Sequence, residues 1–222
     1  MSNISEFFSY VIKIWPAMQQ GALVSLEIFA VTLILSLPLG LLVALVGLVK
    51  FNPVRWLLNT YIWIMRGTPL LLQLFFVYFG LPTFGITFNS ITSVFVAFAL
   101  NYAAYFAEIF RAGIQSIDKG QYEASQALGM TYAQTMRRII IPQTVKRIIP
   151  PLSNEVITLI KDTSLATYIT VPELLHAAKT AVNRDSVTTA YLVAAIIYLF
   201  LTLILTVISK KLEEKSGTHE NR

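Results

Sequence analysis

The feature that most limits the fold of this chain is a stretch of 41 residues, from Gly67 to Ala107, that contains no Asp, Glu, Lys or Arg. A helix needs about 20 apolar residues to cross the hydrocarbon core of a bilayer, which is roughly 30 Å thick. The stretch is therefore long enough for two crossings. Gly80, Pro82 and Gly85 lie near its middle, and these residue types predict a turn between the two helices.

Two further stretches, Ile28 to Val49 and Ser186 to Ser209, also lack charged residues, and each predicts one crossing. A fourth apolar region, from Ile148 to about Val171, contains Pro150, Pro151 and three charged residues. Non-helical backbone is tolerated at membrane depth only inside protein or beside water, so we predict a broken, buried helix there. The chain is thus predicted to be an all-α polytopic membrane protein. Its single domain spans residues 1–222, with five transmembrane helices at about 22–49, 56–80, 89–111, 144–171 (broken) and 188–209.

The composition supports a membrane protein and excludes several other classes. Hydrophobic residues make up 55% of the chain and charged residues only 13%, whereas soluble domains carry about 25% charged residues. With no Cys and only two His, disulfides and thiolate metal sites are excluded, and we expect no metal and no cofactor. The sequence also lacks a Gly-Lys pair, and with it the phosphate-binding loop of ATPases. We therefore predict that the chain is not an enzyme.

Basic residues are distributed unequally between the predicted loops. The 50–55 loop, the 111–147 loop and the tail from Lys210 hold twelve of the 17 Lys and Arg residues, whereas the remaining loops hold three. The three are Lys13, Lys179 and Arg184. Because cytoplasmic loops are enriched in Lys and Arg, the N-terminus is predicted to be outside and the C-terminus cytoplasmic. This orientation accounts for the net charge of +5, so no nucleic-acid partner is expected.

The longest predicted cytoplasmic loop, residues 112–146, contains signals for a short helix. Asp118 followed by Gln121 is the pattern of an N-cap with its capping-box partner. The helix would continue through Leu128, and Gly129 suits the left-handed residue that ends a helix.

A second short helix is predicted directly after that glycine. Thr131 with Gln134 forms another capping-box pattern, and the helix from Tyr132 to Ile141 would be interrupted by Pro142. Two short helices folded at a glycine could be an ordinary loop without a partner, or a surface that docks onto another protein. Periodicity alone leaves both possibilities open.

The residues of this loop resemble the signature loop of ABC importer permeases. Glu123-Ala124-Ser125, three residues, Gly129, nine residues and then Ile139-Ile140-Ile141-Pro142 match the pattern E-A-A, x3, G, x9, I-x-L-P, with Ser and Ile as mild departures. The resemblance implies a coupling helix that contacts a separate ATP-hydrolysing subunit. The residues implied in ATPase coupling are Tyr122, Glu123, Ala124, Ser125, Ala127, Leu128 and Gly129.

Four other segments resemble the polar amino acid subfamily of these permeases. They are Arg66 to Leu74, Ala107 to Gly113, Pro151 to Asn154 and Lys161 to Leu165. Val171-Pro172-Glu173-Leu174 is most similar to cystine permeases, while arginine and glutamine permeases are close relatives. The resemblance implies a type I ABC importer permease fold in the inner membrane of a bacterium. It also implies a second permease subunit, identical or sister, and an extracytoplasmic binding protein. The implied substrate is a polar amino acid: cystine, or a basic or polar amino acid such as arginine, histidine or glutamine.

Polar and charged residues within the predicted spans are candidates for binding that substrate, because a charge near the bilayer centre costs about 2.5 to 3.5 kcal/mol on insertion scales. Glu155 and Asp162 are seven residues apart, so they share one helix face and could bind an ammonium group. Arg66 or Lys161 could bind a carboxylate. The candidate substrate-binding residues are Arg66, Thr68, Asn101, Glu155, Lys161 and Asp162.

An alternative is that these groups only hold the helices together. Arg66 could pair with Glu155 or Asp162, and the uncharged residues could bond a neighbouring helix. Glu108 and Arg111, three residues apart, are predicted to form a local pair. An ion channel or a proton-coupled carrier would carry similar carboxylates and a similar broken helix, but would work without ATP or a partner.

Overall fold

The computed structural model describes residues 4–48 and 51–217, and within these ranges it contains helices and no strand. Nine α-helices follow one another in those ranges, with short π and 3-10 turns attached to three of them. The all-α membrane fold predicted from the sequence is confirmed. The helices are α1 (Ile4–Gly47), α2 (Asn52–Gly67), α3 (Leu70–Phe75), α4 (Ser90–Gln115), α5 (Lys119–Ala127), α6 (Tyr132–Thr135), α7 (Ile141–Asp162), α8 (Leu174–Asp185) and α9 (Thr189–Lys215).

Helix α1 begins at Ile4, far before the predicted start at residue 22. Its N-terminal half was not predicted because it contains polar residues and Pro16 among its apolar ones. That half is helical because Ile14 and Met18 are buried against α8 and α9. The buried positions of α1 recur every three to four residues, which is the period of one helix face.

The central helix α4 packs closely on α1. A Cβ atom at Gly40 of α1 would lie 2.8 Å from Cβ of Phe106 and 2.9 Å from the carbonyl oxygen of Ala103. A small residue is therefore required at this crossing, as is common between transmembrane helices. Phe98 and Phe106 of α4 are fully buried in the core around it.

The second predicted span, residues 56–80, is not one helix. Helix α2 ends at Gly67, α3 begins at Leu70, and the two directions differ by 108°. Pro69 causes the break, because it disfavours the helical conformation of the residue before it; Thr68 is extended, with φ −121° and ψ 147°. After α3 come a π turn and a 3-10 turn that ends at Gly85, whose φ is +82°.

Helix α7 continues the chain from α6 through a π turn at Met136–Ile140, so the predicted interruption at Pro142 is wrong. The N–H of Ile141 donates to the carbonyl oxygen of Met136, five residues back, and this wide turn makes room for the proline that follows. The helix ends at Asp162 and becomes a 3-10 helix, Thr163–Ile169. The break predicted within residues 144–171 therefore lies near the end of that range.

The segment between the predicted spans at 144–171 and 188–209 was expected to be a loop, but most of it is helical. Helix α8 is capped by Glu173, whose carboxylate accepts from the N–H groups of Leu175 and His176. Its apolar face packs on the N-terminal half of α1, the other segment that was not predicted to be helical. Neither element has the long apolar pattern of a span, so each is held by contact with the other.

In residues 4–48 and 51–217, three helices, α1, α4 and α9, are long and apolar enough to cross a membrane. The bent pair of α2 and the segment Leu70–Phe84 brings the number to four. Helix α7 is amphipathic and carries too many polar residues to qualify by composition. It packs between α4 and α9, and Ser153, Leu159 and Ile160 are among its buried residues, whereas Arg147, Asn154 and Lys161 stay exposed. The predicted number of five spans is therefore approximate, since three or four helices qualify by length and composition among the described residues.

Candidate functional site

A cavity of about 480 Å³ lies where α3, α4 and α7 meet. It extends to both helix breaks. Thr68 and Pro69 line it from the break between α2 and α3, and Asp162 and Leu165 line it from the end of α7. Discontinuous helices of this kind typically form the substrate sites of transporters. The remaining lining residues are Leu70, Leu71, Asn101, Tyr102, Tyr105, Glu155 and Thr158.

Two side-chain amides form hydrogen bonds with the backbone carbonyl groups that lose their helical partners at the break between α2 and α3. Nδ2 of Asn101 donates to the carbonyl oxygen of Met65 (3.0 Å) and to Oε1 of Gln73 (3.0 Å). Nε2 of Gln73 lies within hydrogen-bond distance of the carbonyl oxygens of Met65 (2.9 Å) and Thr68 (3.1 Å). An unpaired carbonyl group would be costly away from water, so these amides stabilise the bend that shapes the cavity.

This arrangement predicts that Asn101→Ala lowers the stability of the folded chain by about 1 kcal/mol, the scale of interhelical hydrogen bonds in membrane proteins. Thermal unfolding in detergent measures the effect. Ser93→Ala is the matched control, because Ser93 is also buried in α4 but its hydroxyl donates within the same helix, to Asn89. An equal loss in both variants would contradict the role of Asn101 at the break.

Two carboxylates of α7 form the acidic wall of the cavity. Glu155 and Asp162 both line it, as expected for residues seven apart on a helix, and their charges interact. The hydroxyl of Tyr102 on α4 donates to Oδ2 of Asp162 at 2.8 Å. Among the described residues that line the cavity there is no Lys, Arg or His, so Glu155 and Asp162 are its only ionisable acidic or basic groups apart from the tyrosines.

The two basic candidates, Arg66 and Lys161, do not line the cavity. Arg66 lies 3.8 Å from Glu108 and stacks over the ring of Tyr105, with its guanidinium carbon 5.5 Å from the ring centre. The proposed pairing of Arg66 with Glu155 or Asp162 is thus replaced by a pairing with Glu108. Glu108 also forms the predicted pair with Arg111, at 2.6 Å.

Lys161 is exposed, and within the described ranges no acidic group lies within ion-pair distance of its ammonium. The structure therefore brings together four of the six candidates, Thr68, Asn101, Glu155 and Asp162, and leaves two outside. Tyr102, Tyr105 and Gln73 were not predicted. The Gly-Thr-Pro sequence could have indicated the helix break, and hence the need for an amide such as Gln73 to cover it.

The predicted coupling loop forms a compact projection built on α5. Its end is a Schellman motif: the N–H of Met130 donates to the carbonyl oxygen of Ser125 (3.0 Å), and that of Gly129 donates to Gln126 (2.9 Å). Gly129 has φ +71°, as predicted. Leu128 is 79% exposed, so a large apolar side chain at the end of α5 is mostly uncovered by the described part of the chain.

The helix starts of this loop agree with the sequence only in part. Thr131 and Gln134 form the predicted capping box before α6. Asp118 caps α5, but its carboxylate accepts from the N–H of Gly120, and Gln121 contacts Gln143 of α7 at 3.4 Å instead of completing a box. The contact with α7 connects the projection to the helix that carries the acidic wall.

The coupling residues differ in exposure. Ser125 is buried, and its hydroxyl donates to the carbonyl oxygen of Gln121. Tyr122 is half-buried. The positions available for contact with another protein are Glu123, Ala124, Ala127, Leu128 and Gly129.

The chain is similar to known membrane transport proteins in both sequence and structure. Residues 36–216 match the family described as binding-protein-dependent transport system inner membrane component. Three permeases of Bacillus subtilis (strain 168) are similar over most of their length. The probable amino-acid ABC transporter permease protein YckA is 43% identical, over 95% of this chain and 90% of the relative. The L-cystine transport system permease protein TcyB is 40% identical, over 90% and 87%, and the arginine transport system permease protein ArtQ is 41% identical, over 96% and 98%.

A solved structure has the same fold. A chain in the crystal structure of an amino acid ABC transporter with histidines superposes with a TM-score of 0.89 at 35% sequence identity. The match covers 94% of this chain and 98% of that one. Nearly the whole of this chain therefore has a counterpart in a solved structure.

Proposed function

The chain belongs to the family of binding-protein-dependent transport system inner membrane components, and on that premise we propose that it is the permease subunit of an ATP-driven importer for a cationic amino acid. The observation that carries the substrate class is the charge of the cavity. Glu155 and Asp162 line it without any basic residue, so it favours a ligand with more ammonium or guanidinium groups than carboxylates. Arginine, lysine and protonated histidine meet that requirement.

The contacts that Arg66 makes outside the cavity support a cationic substrate over a neutral one. A zwitterion such as glutamine needs a positive group for its carboxylate as well as a negative group for its ammonium. The guanidinium that could bind the carboxylate is already engaged by Glu108 and Tyr105. Among the relatives, the similarity to an arginine permease agrees with this class, whereas the similarity to a cystine permease favours a neutral substrate.

The α5 projection is the part of the chain suited to transmit the energy of ATP hydrolysis. Its exposed residues Glu123, Ala127 and Leu128 would contact a separate ATPase subunit in the cytoplasm. The chain itself would hydrolyse no ATP. A second permease, identical or sister, would complete the pathway, and an extracytoplasmic binding protein would deliver the substrate on the side of the N-terminus.

The proposal is tested in proteoliposomes that contain the permease, its ATPase subunit and a binding protein. We expect ATP-dependent uptake of radiolabelled arginine or lysine to exceed that of glutamine and cystine at least tenfold. Preferred uptake of a neutral amino acid would overturn the cationic class. Accumulation by the permease alone, without ATP, would favour the channel or carrier and overturn the importer.

A further inference from the structure

Helix α8 presents a polar, basic face on its exposed side. Leu174, Ala178 and Ala181 are buried against α1 and α9. On the opposite face Lys179, Thr180, Asn183 and Arg184 are exposed and His176 is partly so. This face borders a groove of about 370 Å³ between α8 and α1, which Lys13 and Gln20 line from the α1 side. We refer to the polar face of α8 together with Lys13 as the α8 ledge.

The ledge carries more positive charge than its single carboxylate neutralises. Asp185 lies 2.6 Å from Nη2 of Arg184 and 3.0 Å from Nζ of Lys13, so one acid is shared by two bases. The Arg184 guanidinium and then the Lys13 ammonium hold the pKa of Asp185 well below its usual range, which keeps this carboxylate ionised. Within the described ranges no acid lies within ion-pair distance of Lys179.

The location of these bases is unexpected for a membrane protein. Lys13, Lys179 and Arg184 are the only Lys and Arg residues in the loops predicted to be outside. Positive charge is disfavoured there, because it opposes the topology that the cytoplasmic loops set. The structure places all three on one ledge, although 165 residues separate the first two in sequence and the ion pairs hold Lys13 beside Arg184. This concentration indicates a role other than orientation.

We propose that the α8 ledge is the surface that binds the extracytoplasmic binding protein, through a patch of Asp and Glu side chains on that protein. The inference rests on the proposed function, which supplies such a partner. The ledge extends from residue 176 to residue 184, about 12 Å along the helix at 1.5 Å per residue. Several separated carboxylates of a protein surface match that spread of charges and amide groups better than one phosphate group does.

Contacts at the base of α8 connect the ledge to the transmembrane helices. Glu173 is fully buried, and besides capping α8 it accepts from the hydroxyl of Tyr198 on α9 at 2.8 Å. The hydroxyl of Ser25 on α1 donates to it at 3.4 Å and also accepts from the N–H of Leu174. A partner bound to the ledge would therefore act on a helix that is anchored in the bundle.

The test measures binding of the substrate-loaded binding protein, taken from the uptake experiment, to the complete transporter in phosphatidylcholine nanodiscs. Lys179→Glu and the double variant Lys179→Glu/Arg184→Glu are expected to raise the dissociation constant on the order of tenfold, with a larger loss for the double variant. Added salt should weaken binding of the wild type and should affect the variants less. Lys210→Glu/Lys211→Glu, which reverses two exposed charges at the opposite end of α9, should leave binding unchanged.

Lys179 forms no ion pair with any residue that the structure describes, so the single variant is expected to fold, and its thermal unfolding checks this. An unchanged dissociation constant in the double variant would overturn the inference while leaving the proposed function intact. A loss that appears only in nanodiscs with anionic lipid would assign the ledge to phospholipid headgroups and would also overturn it. A wild-type transporter that neither binds nor responds to a binding protein would overturn the proposed function and the inference together.

Discussion

Replacing Asp162 by Asn is expected to reduce ATP-dependent uptake of a cationic amino acid about 10- to 100-fold. Asn has nearly the same shape and its carbonyl oxygen can still accept from Tyr102, so the substitution removes the charge and preserves the local hydrogen bond. Hydrogen bonds to charged groups contribute roughly 1.5 to 3 kcal/mol, and about 1.4 kcal/mol corresponds to a factor of ten. The measurement is initial uptake of arginine against concentration in proteoliposomes.

Two controls separate the charge of the cavity from other effects of the substitution. Lys161→Gln changes the charge of the adjacent residue, but Lys161 is exposed and does not line the cavity, so uptake should change little. Tyr102→Phe removes the hydroxyl that contacts Asp162 and leaves the carboxylate in place, and a smaller loss is expected. If Asp162→Asn transports arginine normally, the acidic wall does not recognise the substrate.

Replacing Gly129 by Val is expected to reduce the substrate imported per ATP hydrolysed about tenfold. Gly129 has φ +71°, a conformation that a β-branched residue rarely adopts. A Cβ atom at this position would meet nothing within 4 Å, so the effect comes from the backbone and not from crowding. The Schellman motif would be lost, and the exposed Leu128 beside it would no longer be held in place. The measurement compares ATP hydrolysis and uptake in the same proteoliposomes.

Asparagine provides the matched control for the glycine turn, because it is larger than glycine but tolerates the left-handed conformation. Gly129→Asn should therefore retain most of the coupling that Gly129→Val loses. The thermal unfolding of the transmembrane bundle should be the same in both variants, since the turn lies outside it. Equal coupling in the wild type and the Val variant would show that the turn is dispensable.

The sequence predicted best the elements that an apolar run alone determines. Helix α4 was expected at 89–111 and lies at Ser90–Gln115, because no charged residue interrupts it before Glu108. The N-terminal half of α1 and helix α8 were not predicted because neither has a long apolar run. Each is stabilised by burying its apolar face on the other. The bend after Gly67 was missed because the apolar run continues across it, although Pro69 was visible.

In the candidate site, too, the sequence predicted local geometry but not contacts between helices. The seven-residue spacing was sufficient to predict that Glu155 and Asp162 share a face, since that follows from helix geometry. The sequence could not show that Arg66 would face Glu108 and Tyr105, because that depends on how the bent α2 is placed against α4. The charge of the cavity is therefore a tertiary property that could not be predicted from the types of residue in the spans.

The two walls of the cavity differ in the side-chain hydrogen bonds that hold them. On the side of the first helix break, two hydrogen bonds of Asn101 join α4 to Met65 and Gln73, and three contacts of Gln73 join α3 to Met65 and Thr68. On the acidic side, Asp162 is attached to α4 through one hydroxyl, and the chain beyond it leaves the α-helical path. During a transport cycle we therefore expect the acidic wall to move more than the break between α2 and α3. The charged surface would then change its position relative to a bend that keeps its shape.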